Sequence, residues 1–181
     1  PKHQSIWDTF ALLHLFHDFT FILKRELVWI PVFGWYLKAA RQIAINRSTR
    51  SAALSEATTR AKEAISRGRF VFIFPEGTRR PAGATPVYKF GVASIYANAG
   101  AKCLPIALNA GLFWPRRSFR RLPGTVLVQV LEPIEPGLDR HEFLRLLTAR
   151  MESATDALLR ESLAKDRSLS VNLSPESTIT A

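Results

Sequence analysis

The chain opens on the segment KHQSIWD, which sets His3 five residues before Asp8. An imidazole held by a carboxylate is a general-base device. The carboxylate accepts a hydrogen bond from one ring nitrogen, fixes the tautomer and orients the other nitrogen toward a proton. An unperturbed imidazole, with a pKa of about 6.5, suits removal of an alcohol proton at neutral pH, and such a base contributes about 10²–10⁴ in rate. Two residues five apart on a regular helix lie about 140° apart around its axis. An interaction therefore requires His3 in the loop before a helix and Asp8 in that helix's first turn. The same residues also read as a helix start. Ser5-x-x-Asp8 before an apolar run is a capping-box pattern, which leaves His3 as an ordinary surface histidine. The two readings are compatible, because a cap at Ser5 would hold Asp8 within reach of His3.

A second candidate is FPEGTRRP, Phe74 to Pro81, directly after the apolar run FVFIF. In a parallel sheet, ligands gather beyond the carboxyl ends of strands. Gly77 permits a tight turn whose backbone amides could form an anion nest. Arg79 offers a guanidinium fork for phosphate, and Glu76 could orient it. The other reading is a surface turn with solvated charges. Lys24 and Arg25 also follow a strand-like run and could add a second basic arm, or could simply be solvated at a strand end. His14, His17 and Asp18 share a helical face, but with no further acidic partner identifiable they do not make a metal site, and none is expected. Phosphate-loop, dinucleotide-fingerprint and nucleophile-elbow patterns are absent. Cys103 sits in an apolar run without a basic neighbour and reads as core.

The elements that must carry these residues alternate. Residues 9–17 read as a short helix, Thr20–Leu23 as a strand, and Gln42–Ile45 as another. Thr49–Arg67 is an amphipathic helix with Ala53, Ala57, Ala61 and Ile65 on one face, stopped by Gly68. Phe70–Phe74 is a buried strand and Gly91–Ala99 a helix. Cys103–Leu108 and Thr125–Leu131 are strands, and His141–Ser162 is a long helix. The pattern predicts an α/β fold, a single domain with a largely parallel central sheet flanked by helices. Residues 1–164 are expected to form the catalytic domain. Residues 165–181, rich in serine and threonine, are expected to be disordered or loosely docked. No run is long and apolar enough for a membrane span. The chain starts at Pro1 and reads as a segment of something longer.

Taken together, these segments resemble the glycerolipid acyltransferase superfamily, specifically its 1-acyl-sn-glycerol-3-phosphate acyltransferases. The H-x-x-x-x-D motif is His3 to Asp8. The second motif corresponds to KRELVWIPVFGW, the third to FPEGTR at Phe74–Arg79, and the fourth to CLPIALNAG around Pro105. All four occur in order. The resemblance implies that His3 deprotonates the glycerol hydroxyl of lysophosphatidate while Asp8 holds His3. The oxygen attacks an acyl-CoA or acyl carrier protein thioester, a co-substrate, and no cofactor is called for. The resemblance assigns the acceptor's binding to Lys24, Arg25, Glu76, Gly77, Thr78 and Arg79. Another lysolipid acceptor, such as a lyso-ornithine lipid, would keep the same mechanism. Asn46, before Arg47, stands where the family commonly has an acidic residue.

The charge fits this reading. Lysine and arginine number 25 against 15 aspartates and glutamates, a formal net charge of +10. Such an excess suits nucleic acid, an anionic membrane or a phosphorylated substrate. The ordered motifs favour the last two, with anionic membrane lipids as partners, no nucleic acid, and membrane association at the cytoplasmic face. The aromatic stretch Trp29–Tyr36 suits either a membrane interface or core packing.

Overall fold

The structure is a computed structural model that describes residues 1–46 and 50–179. Thr49 and Arg47 lie outside the described residues. A three-stranded parallel sheet forms the centre, in the order β2-β1-β3, from β1 (Phe19–Lys24), β2 (Ile43–Ile45) and β3 (Phe70–Phe72). Its register pairs Ile22 with Ile43 and Phe19 with Phe70. β4 (Ile106–Leu108) and β5 (Val128–Val130) form a separate antiparallel pair, with the short α5 (Ala110–Phe113) between them in sequence. The predicted α/β architecture is present, with an antiparallel unit beside the parallel one.

Alanines at positions 53, 57, 61 and 64 run along α3 (Arg50–Ser66) and are buried. A face of small side chains brings the helix close to the Ile43 and Ile45 side chains of β2 and to Ile95 of α4 (Phe90–Ala99). α4 stops at Gly100, whose φ of 61° is the left-handed conformation that glycine adopts without a Cβ penalty. The long helix α6 (Arg140–Lys165) begins at Asp139, whose side chain accepts from the amides of His141 and Glu142. Phe143, Leu147 and Met151 of α6 pack against Val92, Ala93 and Tyr96 of α4.

Several predicted elements are shorter than the apolar runs that suggested them. The strand expected over Cys103–Leu108 keeps ladder geometry only from Ile106, because Pro105 has no amide to donate. Cys103 makes an isolated bridge to Ile134. The helix expected over 9–17 divides into α1 (Trp7–Ala11) and a 3-10 turn at Leu12–Leu15. Lys24 ends β1, and Arg25–Trp29 coils into a 3-10 turn that leads to α2 (Phe33–Ala39). Beyond α6, the described residues of the segment expected to be disordered or loosely docked lie against the body. Leu169 and Ile179 are buried with Leu112, Phe113 and Leu159, and the Ser174 amide donates to the Ala82 carbonyl. Its few apolar residues are enough to anchor it, despite its polar composition. Among the described residues no helix is long and apolar enough to cross a membrane.

Candidate active site

His3 lies in the loop before α1, and Asp8 in its first turn, the arrangement that the five-residue spacing requires. His3 Nδ1 is 3.3 Å from Asp8 Oδ2. An ionised carboxylate can only accept, so pairing with one favours the tautomer with the proton on Nδ1, which leaves Nε2 to take another. Asp8 is fully buried. The same Oδ2 accepts from the amides of Gln4 at 2.6 Å and Ser5 at 2.8 Å. Ser5 Oγ in turn accepts from the Trp7 amide at 3.2 Å. The residue at the helix cap is Ile6, which makes no side-chain cap bond, so the Ser5 cap is not formed as expected; the Gln4 and Ser5 amides hold the carboxylate that meets the imidazole.

The FPEGTR segment closes over the other face of His3. Phe74 stacks on the imidazole, with centroids 3.8 Å apart and planes 19° apart. Phe74–Gly77 is a tight turn in which the Gly77 amide donates to the Phe74 carbonyl at 3.0 Å. Pro75 and Gly77 hold the positions such a turn favours, and Gly77 has a φ of 68°. The Gly77 amide thus closes the turn. Three residues further on, the Arg80 amide donates to the His3 carbonyl at 2.8 Å.

Glu76 does not orient Arg79, as the sequence suggested it could. It turns inward, is buried, and accepts from the His3 amide at 3.0 Å. Its other oxygen is 3.1 Å from Lys2 Nζ. Lys2 is buried as well and donates to both oxygens of Glu152 on α6, at 2.6 and 2.9 Å. The Tyr88 hydroxyl donates to Glu152 at 2.6 Å. Burial pushes the Glu76 carboxyl above its ordinary value, and Lys2 and the His3 amide offset part of that. Burial first, and Glu152 second, raise the Tyr88 hydroxyl and keep it protonated. Sequence reasoning missed Lys2, Tyr88 and Glu152. The available signal was an acidic residue beside the apolar stripe of the long helix.

A cavity of about 450 Å³ opens beside the histidine. His3, Lys24 and Gly77 line it together with Leu13, Phe21, Leu37 and other apolar side chains. Lys24 therefore reaches the histidine's cavity, whereas Arg25, Glu76, Thr78 and Arg79 are not on its wall. Thr78 is exposed and Arg79 half-buried. Arg79 has basic company in Arg80, Arg116 and Arg117. Burial, followed by the charges of Arg117, Arg79 and Arg80, lowers the Arg116 pKa. No carboxylate among the described residues pairs with Lys24, Arg25 or Arg79. Burial raises the Cys103 thiol pKa, which disfavours a nucleophilic thiolate there. Among the described residues no His, Cys, Asp and Glu cluster could hold a metal ion.

The chain is similar to known acyltransferases. The chain is 43% identical over 129 residues to a 1-acyl-sn-glycerol-3-phosphate acyltransferase of Pseudomonas aeruginosa, across 71% of this chain and 50% of that one. It is 33% identical over 138 residues to one from Chlamydomonas reinhardtii, across 75% and 41%. The chain thus spans half or less of the length of these curated relatives. The fold matches the crystal structure of the 1-acyl-sn-glycerophosphate acyltransferase PlsC of Thermotoga maritima with a TM-score of 0.71. That match has 27% identity and covers 87% of this chain and 64% of the other. The acyltransferase family model matches residues 1–109, the stretch that holds His3, Asp8 and the FPEGTR turn, and the chain belongs to that family.

Proposed function

We propose that this chain is the catalytic unit of a 1-acyl-sn-glycerol-3-phosphate acyltransferase. Residues 1–164 carry the chemistry in this reading. The observation that carries it is a histidine, oriented by a buried aspartate, on the wall of an apolar cavity that also holds a lysine. An acyl chain lies against the apolar lining. Lys24, with Arg25 and Arg79, holds the lysophosphatidate phosphate, and Gly77 and Thr78 shape the turn beside it. The acceptor's free hydroxyl faces His3 Nε2.

The hydroxyl proton passes to Nε2 as the oxygen attacks the thioester carbonyl carbon. The C–S bond breaks, an ester forms, and the departing thiolate recovers the proton from the imidazolium. Products are phosphatidic acid and a free thiol. Asp8 stabilises the transient imidazolium and keeps the ring oriented, and Glu76 holds the backbone of His3 still. Fixed placement of both reactants supplies much of the acceleration. The thioester comes from acyl-CoA or acyl carrier protein. The reading places the protein at a membrane, on the cytoplasmic face, with anionic lipids around it.

The test is acyl transfer measured by mass spectrometry of the lipid product, with lysophosphatidate and lyso-ornithine lipid as competing acceptors and both donors compared. Phosphatidic acid formed with lysophosphatidate, and lost in His3→Ala, is the expected result. Equal rates with the phosphate-free acceptor would remove the phosphate role from Lys24, Arg25 and Arg79.

A further inference from the structure

The segment between β1 and β2 does not bury its apolar residues. Trp29 is 72% exposed, Tyr36 71% and Trp35 67%, and Ile30, Val32 and Phe33 are also exposed. Single exposed apolar residues are ordinary, but a contiguous group marks an interaction surface. The group is held in place. A Cβ at Gly34 would lie 1.9 Å from the Val28 carbonyl oxygen, so only glycine lets α2 lie against the preceding 3-10 turn. Val32 has a φ of 65°, a conformation that a β-branched residue avoids. Its side chain is exposed, so no core contact compensates for that strain.

The charge around the patch is one-sided. Residues 24–41 contain Lys24, Arg25, Lys38 and Arg41 against the single carboxylate Glu26. All four cations are exposed, and none is in an ion pair with a described carboxylate. The patch is continuous with the cavity beside His3, because Phe33 and Tyr36 belong to both. Phe10 of α1, another exposed ring, lies on the same cavity wall.

We propose that residues 25–41 dock on an anionic bilayer, with Trp29, Trp35 and Tyr36 at the headgroup level and Lys38 and Arg41 against lipid phosphates, while Lys24 and Arg25 are kept for the acceptor. This inference rests on the lipid acyltransferase reading and names the surface through which that site meets its lipids. Tryptophan and tyrosine favour the membrane–water interface, and clustered lysine and arginine favour anionic lipid. A second copy of the chain is a poor occupant, since a two-fold contact would set these unpaired cations against each other. Docked in this way, the cavity mouth opens toward the acyl layer, and a lysolipid reaches His3 without its chain crossing water.

The experiment uses the 181-residue chain, vesicles of phosphatidylcholine with or without phosphatidylglycerol, and the double variant Trp29→Ser/Trp35→Ser. Both side chains are exposed and neither lines the cavity, so folding and turnover of a short-chain, monomeric lysophosphatidate should be preserved. Expected is co-sedimentation with the phosphatidylglycerol vesicles that weakens with salt, and tryptophan quenching by brominated lipid. The double variant should lose about tenfold or more in partitioning. It should also lose turnover of vesicle-embedded acceptor only. Vesicle binding unchanged in the double variant would overturn the proposal. So would a wild-type dimer that the double variant converts to monomer. Absence of transfer even with monomeric substrate would count against the acyltransferase reading, whichever way the vesicle result falls.

Discussion

His3 has two unlike surroundings. Beneath it, Asp8, Glu76, Lys2 and Glu152 form a connected ionic layer, and Asp8, Glu76 and Lys2 are almost wholly removed from solvent. On the open side, Lys24, Arg25 and Arg79 have no carboxylate among the described residues to pair with. The contrast separates two tasks. In the proposed mechanism the base must already be oriented when the substrate arrives, and the groups that hold it come from inside the protein. A phosphate must be attracted and then released, so the charges assigned to it are left uncompensated by the protein itself. The buried layer should respond to mutation through turnover and stability, and the open side through acceptor affinity.

The sharpest separation comes from the histidine. His3→Ala should lower kcat by about 10²–10⁴, the range for a lost general base, while the fold survives because the buried Asp8 keeps the amides of Gln4 and Ser5 as donors. Asp8→Asn should also be severe, because a neutral amide oxygen is a weaker acceptor for the His3 Nδ1 proton and no longer stabilises an imidazolium. Near-normal transfer by His3→Ala would assign the base elsewhere and remove the first half of the comparison.

This half was partly legible in the sequence. The His3–Asp8 spacing, the FPEGTR turn and the alternation of strands with helices rest on local pattern, which a linear reading sees. The Lys2–Glu152 contact joins residues 150 positions apart, and only the packing of α6 against the rest brings them together. Glu76 was misjudged for a related reason. Its neighbour in sequence is Arg79, but the tight turn at Phe74–Gly77 points it back into the protein, toward Lys2 and the His3 amide. The aromatic run Trp29–Tyr36 was ambiguous between core and surface, since composition is the same in both cases. Its exposure is decided by the turn at Pro31–Val32 and by how closely Gly34 approaches Val28.

Next in size is the removal of the buried cation. Lys2→Met leaves Glu76 and Glu152 facing each other without a counter-ion. Breaking a buried pair in this way costs about 3–5 kcal/mol, measurable as a loss of unfolding free energy in urea. Lys2→Arg should recover part of it. A change no larger than that of a surface lysine would show that the layer beneath His3 contributes little. On the open side, Arg79→Ala should raise the KM for the acceptor about tenfold, with kcat and the denaturation midpoint nearly unchanged. If instead kcat fell and KM held, Arg79 would act in the transition state and the division between the two sides would fail there.

The smallest effect is a slope rather than a loss. Burial raises the Glu76 pKa above its ordinary value of 4.5 in the folded protein. Between 4.5 and the raised native value, the folded chain keeps a proton that the unfolded chain has released. Stability must then fall as pH rises across that window. The contribution is fully present below 4.5 and is gone once pH has passed the native value. Glu76→Gln cannot titrate, and its side-chain oxygen can still accept from the His3 amide, so its stability should lack this slope. Urea midpoints of the wild type and Glu76→Gln, compared from acid to neutral pH, isolate the difference. A wild type that gains on the variant as pH rises would mean that Lys2 and the His3 amide outweigh burial. The ionised carboxylate would then be the form that steadies His3, and the buried layer would depend on its ion pair more than on exclusion from water.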